Sequence, residues 1–453
     1  MDAVVLSRIQ FALTSCFHYI YPPLSIGLGL MLIFFEGMYI KTKNPLYKQV
    51  TKFWVKVFGL TFALGVATGL VQLFGFGTNW ARYSRFVGDV FGSALGAEGV
   101  FAFFLEAGFI GIMLFGWERV SPKIHYLSTI CVALGAHFSA IWIVVANSWM
   151  QTPTGYKIVG EGAEAKAIVT DFWQMVFNPS AIDRLVHVIL GCWLSGIFLV
   201  LSVSAYYMIK KRHIDFSRAC LRLGLIAAAV VLVLQLISAD STARGVAVNQ
   251  PIKLAAMEGI YETKPYTPIG VAGWVDTKTQ TVKGLTIPAG LSFLVYHNFE
   301  TPVPGLNEFP QDEWPNVPVL FQTYHLMIFM WGAMVTCVLA AFYFWRKKKL
   351  ENAKWTLSAL VISVLFPAIA NQVGWVTAEM GRQPWIVYKL LRTQDGVSPS
   401  IQASQVLSSI IMLLVIYTVL FALFLYLLNH KIQHGPLKEE ETETEYRNPY
   451  SPM

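Results

Sequence analysis

Charge is what this sequence has least of. Only 13% of its 453 residues are Asp, Glu, Lys or Arg, against about 25% in an average soluble domain. Cysteine is also scarce. The five present, Cys16, Cys131, Cys192, Cys220 and Cys337, form no C-x-x-C and lie in or beside apolar runs. That excludes a zinc ribbon and a disulfide framework. No repeat of solenoid period is visible. What remains is 55% hydrophobic and 14% aromatic, more grease than a soluble globule can hide. The sequence therefore predicts an all-α polytopic membrane protein and excludes an ordinary soluble enzyme and a disordered chain. The net charge of +7 does not point to nucleic acid, because the basic clusters sit between apolar runs and there orient membrane spans.

A crossing helix needs about 20 apolar residues. That criterion predicts nine spans, centred near Gly27, Gly65, Glu106, His137, Ile197, Val230, Gly332, Phe366 and Val415. The first apolar run, from about Ile9 to Ile40, is too long for a signal-peptide core and lacks a small-x-small exit, so it reads as a retained span. Alternate connections carry Lys41 to Lys56, Arg119 and Lys123, Lys210 to Arg222, Arg346 to Lys354, and Lys431, Lys438 and Arg447. By the positive-inside rule these face the cytoplasm, which puts the N-terminus outside and the C-terminus inside. The expected organisation is helices one to six in 1–239, an extracytoplasmic loop in 240–318, helices seven to nine in 319–430 and a cytoplasmic tail in 431–453. The loop is proline-rich, with Pro251, Pro265, Pro302 and Pro304 among its residues. Its length marks it as functional or disordered. The acidic run Glu439–Glu443 reads as a solvated end.

Titratable groups inside spans are costly and are functional candidates by default. Here they are His18, Glu98, Glu106, His137, His187, His325 and Glu379. By position, His18, Glu98, His187, His325, Met327 and Glu379 fall in one outer layer. Imidazole, thioether and carboxylate all ligate haem iron, and a His/Met pair gives a six-coordinate electron-transfer haem. His187, Met327, His18 and Glu379 would supply one closed and two open iron sites; taken singly, a membrane His is as often a helix-packing residue as a ligand, and a lone Met is far more often packing. Glu98 and Glu106, eight residues apart, would sit about 12 Å apart along a regular helix and about 80° around it. With Ser139 and His137 they suit a proton relay. His125, His213, His297, His430 and His434 are not expected to be ligands. Trp80, Trp149 and Trp193 read as interfacial anchors. A haem-free transporter using Glu98, Glu106 and His137 is the rival class, but it would show inverted repeats. A second rival, a di-haem electron carrier without oxygen chemistry, would need bis-His spacing.

Five motifs then occur in order: Arg8-Ile9-Gln10-Phe11 leading to His18; Gly96-Ala97-Glu98-Gly99 followed by Phe103-Phe104-Leu105-Glu106; Ala146-Asn147-Ser148-Trp149-Met150-Gln151-Thr152-Pro153; Gln250-Pro251-Ile252-Lys253-Leu254-Ala255-Ala256-Met257-Glu258; and Gly374-Trp375 through Glu379 to Gly381-Arg382-Gln383-Pro384-Trp385. Across nearly the whole chain the sequence resembles subunit I of the cytochrome bd quinol oxidases, in the short-loop branch that includes the cyanide-insensitive oxidases. The resemblance implies a terminal respiratory oxidase of the bacterial inner membrane. Such an enzyme oxidises quinol outside and reduces oxygen to water with cytoplasmic protons, building proton motive force without pumping. It implies His187 and Met327 as axial ligands of a low-spin haem b. It implies His18 and Glu379, with Glu98 beside them, for a high-spin haem b and an oxygen-reducing haem, either haem d or a third haem b. Trp375 is expected at the cofactors, Arg382 as a propionate partner, and Lys253 with Glu258 as the quinol-binding acid–base pair. Glu106 and Ser139 are expected on the proton route. Position 325 is His where long-loop members resemble an Arg; it would serve a propionate only when protonated, or act as an alternative ligand. The implied partners are a second membrane subunit and a small single-span one, with no nucleic acid.

Overall fold

The computed structural model describes residues 2–436. The acidic run Glu439–Glu443, Lys438 and Arg447 lie outside them. Among the described residues nine helical stretches are long and apolar enough to cross a membrane: Ala3–Thr42, Pro45–Thr78, Gly88–Phe115, Pro122–Gln151, Ala181–Ile209, Ile214–Asn249, Val317–Arg346, Lys354–Met380 and Ala403–His434. These are the nine predicted spans, named below in this order as the first to the ninth.

Local sequence explains several starts. Asn44 caps the second span by accepting from the Leu46 amide, Ser121 caps the fourth through Ile124, and Asn316 caps the seventh through Val319. A proline stands in the first turn of each. This is the side-chain cap followed by a residue that needs no amide donor. The first span is broken into Ala3–His18 and Tyr21–Thr42, and Pro22 and Pro23 open the second piece. The third contains a π-helical turn over Glu98–Phe103, so the angular offset expected of a regular helix between Glu98 and Glu106 does not hold.

The dry core lies toward the basic ends of the spans, where Leu28, Trp54, Phe58, Phe198, Leu201, Phe216 and Leu225 pack together. The first and fifth spans touch there backbone to backbone. A Cβ on Gly27 would lie 2.5 Å from the Gly196 nitrogen, so small residues set the distance between these helices.

The long connection begins later than predicted. The sixth span stays helical to Asn249, and a short helix, Pro251–Glu258, follows at once. Beyond it, strands Ile269–Asp276 and Thr281–Ile287 form an antiparallel hairpin, a pairing not read from the sequence. The connection therefore has ordered structure of its own.

Candidate haem and quinol site

Residues 371–379 of the eighth span form the spine of the site. Asn371 donates to the Gly191 carbonyl (3.2 Å) and to Ser195 Oγ (2.9 Å), and Gln372 donates to the Cys16 carbonyl (2.8 Å). Gly374 lies against Met327: a Cβ there would be 2.9 Å from the sulfur. His187 is one turn from Gly191, so it stands level with Gly374 and Met327. His18 follows Cys16 by two residues. Four candidate ligands from four spans thus gather along one helix.

They do not share one thin layer. Glu379 ends its span, whereas Met327 is ten residues into Val317–Arg346 and Thr68, beside His18, is ten residues from the end of Pro45–Thr78. Along the eighth span Gly374, level with Met327, is five residues from Glu379, and Gln372, beside Cys16, is seven, so at 1.5 Å per residue the group spreads over about 10 Å of depth. His18 sits at the break in the first span, deeper than the predicted outer start.

The donor set fits haem. His18 Nδ1 is 3.0 Å from Thr68 Oγ1, and that hydroxyl donates to the Leu64 carbonyl (2.8 Å). Thr68 therefore accepts from Nδ1–H and leaves Nε2 as the basic nitrogen, the arrangement that orients a ligating imidazole. At His187 the Gln235 amide nitrogen lies 3.1 and 3.2 Å from the two ring nitrogens, while Gln235 Oε1 and Ser238 Oγ are buried without a partner. Arg382 is 4% exposed and binds Glu379 through Nη2, yet its Nε and Nη1 are buried and unpaired. Arg184 Nε is orphaned too. Unpaired buried cationic donors are expensive and suit carboxylate-bearing groups such as propionates. Among the described residues no three His, Cys, Asp or Glu gather as a metal cage.

The toe of the eighth span carries the densest polar network. Glu379 Oε1 accepts from Asn147 Nδ2 (2.9 Å), and Asn147 Oδ1 accepts from Arg184. Lys253 Nζ donates to the Ala378 carbonyl (2.9 Å), Gln151 Oε1 (3.2 Å) and Gln250 Oε1 (3.2 Å). Burial, with the Arg184 and Arg382 cations nearby, pushes the Lys253 ammonium well below its ordinary range. Asn147 and Gln151 stood in the quoted motif without a role; Arg184 was missed, though it stands one helical turn before His187.

Lys253 and Glu258 make no ion pair with each other. Five residues apart on one short helix, they face different neighbours. Glu258 is 1% exposed; its Oε2 accepts from the Gly270 amide (3.3 Å), and the Tyr324 hydroxyl stands beside the carboxyl. Burial raises its carboxyl to about 7. His325 is held by two carbonyls, Phe321 (2.8 Å) and Gly270 (3.2 Å), so neither ring nitrogen is turned to a metal. Trp375 packs 6.3 Å from Phe11, centroid to centroid.

The proton-route candidates divide. Ser139 Oγ donates to Glu98 Oε1 at 2.5 Å, and Glu106 is buried against Gly135, whose Cβ would meet its Cγ at 2.4 Å. His137 is engaged elsewhere: Nδ1 bonds the Ala133 carbonyl (2.7 Å), and Nε2 accepts from Trp193 (2.8 Å). Trp193 is thus an interhelical partner rather than an interfacial anchor. Trp80 and Trp149 are 5% and 0% exposed, packed in a core, which corrects the same expectation for them. His125, set aside from the ligands, pairs with a buried carboxylate that sequence reasoning overlooked. Its Nδ1 is 2.6 Å from Glu36 Oε1, whose other oxygen accepts from Thr129 (2.6 Å).

Known proteins show the same plan. The family model of cytochrome bd terminal oxidase subunit I matches residues 6–436. A Bacillus subtilis (strain 168) protein named cytochrome bd ubiquinol oxidase subunit 1 is 38% identical over 446 residues, covering 96% of this chain and 94% of its own. The cytochrome bd-II ubiquinol oxidase subunit 1 of Escherichia coli (strain K12) is 32% identical over 502 residues, covering 96% and 97%. The bd oxidase structure from Geobacillus thermodenitrificans superposes with a TM-score of 0.88 at 29% identity, covering 96% of this chain and 99% of that one. The chain therefore belongs to the cytochrome bd terminal oxidase subunit I family, the multi-pass, haem-containing subunits of bacterial inner-membrane quinol:oxygen oxidoreductases, which pair with a subunit II.

Proposed function

We propose that quinol is oxidised beside the helix Pro251–Glu258, on the outside of the membrane, and that oxygen is reduced to water near His18, Glu98 and Glu379 with cytoplasmic protons. Electrons then start outside and protons are taken from inside, so proton motive force builds without a pump. The N-terminus is outside and the C-terminus inside, as the basic connections require. His187 and Met327 hold a low-spin haem b. His18 and Glu379, with Glu98, serve a high-spin haem b and the oxygen-reducing haem, haem d or a third haem b. Bound there, iron supplies electron transfer and the oxygen chemistry.

The chain's own residues do the rest. Arg382 and Arg184 offer buried, unpaired guanidinium nitrogens to acidic groups of the cofactors. Lys253 spends its donors on Ala378, Gln151 and Gln250, so it fixes the loop helix against the toe of the eighth span. Glu258 takes one of the two protons that quinol loses with its two electrons, and both protons leave to the outside. Ser139 orients Glu98 by donating to it, and Glu106 lies farther along the same span toward the basic side. A second membrane subunit and a small single-span one complete the enzyme.

The observation that carries this reading is Glu258: a buried carboxyl beside the Tyr324 hydroxyl, its affinity for protons raised by burial to about 7. A general base works best when its pKa is near the operating pH. The test is Glu258→Gln in the complete complex. Quinol oxidation should collapse while dithionite still reduces every haem; unchanged quinol kinetics would refute the assignment.

A further inference from the structure

The hairpin Ile269–Asp276/Thr281–Ile287 has two unlike faces. Val275 and Val282 pack over the loop helix, where a Cβ on Gly259 would lie 3.1 and 2.7 Å from them. The opposite face shows Trp274, Leu285 and Ile287, which are 60%, 70% and 54% exposed. Register pairs Trp274 with Lys283, and Ala272 with Leu285, so the apolar side chains share this surface with Lys283, which stands toward the turn and pairs with Asp276 (2.7 Å). An exposed apolar surface of this kind marks an interaction site.

Its depth identifies what covers it. The seventh span, Val317–Arg346, is followed by Lys347, Lys348 and Lys349, and Tyr343 and Trp345 stand at that end. Such residues mark a membrane boundary. Counting about 20 residues back from Phe342, the length that crosses the hydrocarbon, places the other boundary near Thr323. The hairpin is tied to the span at this level: Gln322 Nε2 donates to the Gly273 carbonyl (2.7 Å), and His325 Nε2 bonds the Gly270 carbonyl (3.2 Å). One and two turns deeper on the Gln322 stripe, Leu326 and Phe329 are exposed, Phe329 at 69%. The apolar face of the hairpin therefore continues the lipid-facing side of the seventh span, with Trp274 at interfacial depth.

The same strand reaches the site. The Gly270 amide donates to Glu258 Oε2, so the hairpin touches Glu258 while its far face looks outward. We propose that the hairpin is seated in the outer leaflet, its Trp274–Leu285–Ile287 face in lipid, and that it forms the wall along which a quinol passes from the bilayer to Glu258. The route rests on the quinol reading above; the seating in lipid does not.

The test uses the complete oxidase in its native membrane, with Leu285→p-benzoylphenylalanine and, separately, Trp274→p-benzoylphenylalanine, each checked for an unchanged haem spectrum. Irradiation should give a phospholipid adduct on this chain at both positions by mass spectrometry, and none from Lys278→p-benzoylphenylalanine at the hairpin's turn. A cross-link to the second subunit, or no adduct at either position, would overturn the proposal. For the route, Leu285→Glu should raise KM about tenfold for a long-tailed, membrane-dissolved quinol, because a charge is disfavoured in the leaflet. It should leave KM for a short-tailed, water-soluble quinol in place. An equal change for both would overturn the route. If adducts form but Glu258→Gln leaves quinol oxidation intact, only the quinol assignment falls.

Discussion

Lys253 Nζ donates to the carbonyl oxygen of Ala378 at 2.9 Å, and this bond couples the loop helix to the residue before Glu379. Lys253→Met keeps most of the stem and removes the donors to Ala378, Gln151 and Gln250. Buried hydrogen bonds are worth about 0.5–1.5 kcal/mol each, so losing two or three should lower quinol turnover by roughly 10- to 100-fold. The haem spectrum and reduction by dithionite should be retained. If turnover were unaffected, the latch would have no part in quinol oxidation.

Glu258 makes that reaction pH-dependent. Burial raises its carboxyl from 4.5 to about 7, so below about pH 7 it is already protonated and cannot accept a proton. Quinol kcat/KM should fall as pH drops through that value, and Glu258→Gln should give a low, flat profile. The linked effect on stability has the opposite sense. A carboxyl with a raised folded pKa costs nothing below its unfolded value and destabilises as pH rises through the window from 4.5 to about 7. The wild type should lose stability across that window relative to Glu258→Gln, which thermal unfolding at several pH values would measure.

Gly374 offers a test of Met327 that leaves the sulfur in place. The Cβ of Gly374→Ala would lie 2.9 Å from Met327 Sδ, so the side chain must shift. Methionine ligation raises a haem's potential. Displacing it should lower the low-spin midpoint in a redox titration and convert part of that signal to high-spin. Met327→Leu should do the same more completely. Two variants with wild-type spectra would remove Met327 from the ligand set.

Much of this was legible in the sequence, for a physical reason. A bilayer demands long apolar helices, so all nine spans could be counted, and buried ionisable residues stand out against them. Partnerships were less legible. That Asn147 would bridge Arg184 to Glu379, or that Glu36 would meet His125 across two spans, depends on helix rotation, which a span uniform in hydrophobicity does not encode. The π-helical turn at Glu98–Phe103 leaves no signature in residue type. The hairpin was hidden for another reason: its strands are short and glycine-containing, with apolar residues on both faces, so the alternation that marks a half-buried strand is blurred.

His137 and Ser139 are two residues apart on one helix, yet their surroundings assign them different work. His137 Nε2 accepts from Trp193 at 2.8 Å and its Nδ1–H serves the Ala133 carbonyl, which pins one neutral tautomer and leaves no ring nitrogen to carry a proton onward. Ser139 instead donates to Glu98, a carboxylate at the proposed oxygen site. Trp193→Phe should therefore cost about 1 kcal/mol of stability, one hydrogen bond's worth, and leave oxygen reduction at its normal rate. Ser139→Ala should slow the proton-coupled phase of oxygen reduction, by up to about 100-fold if the hydroxyl acts in the transfer itself, besides costing a comparable hydrogen bond's worth of stability. Time-resolved oxygen reduction by the pre-reduced complex, set beside thermal unfolding of both variants, separates the two. If Trp193→Phe slowed the proton-coupled phase, His137 would belong to the relay and its bond to Trp193 would be a poised contact rather than a fixed one.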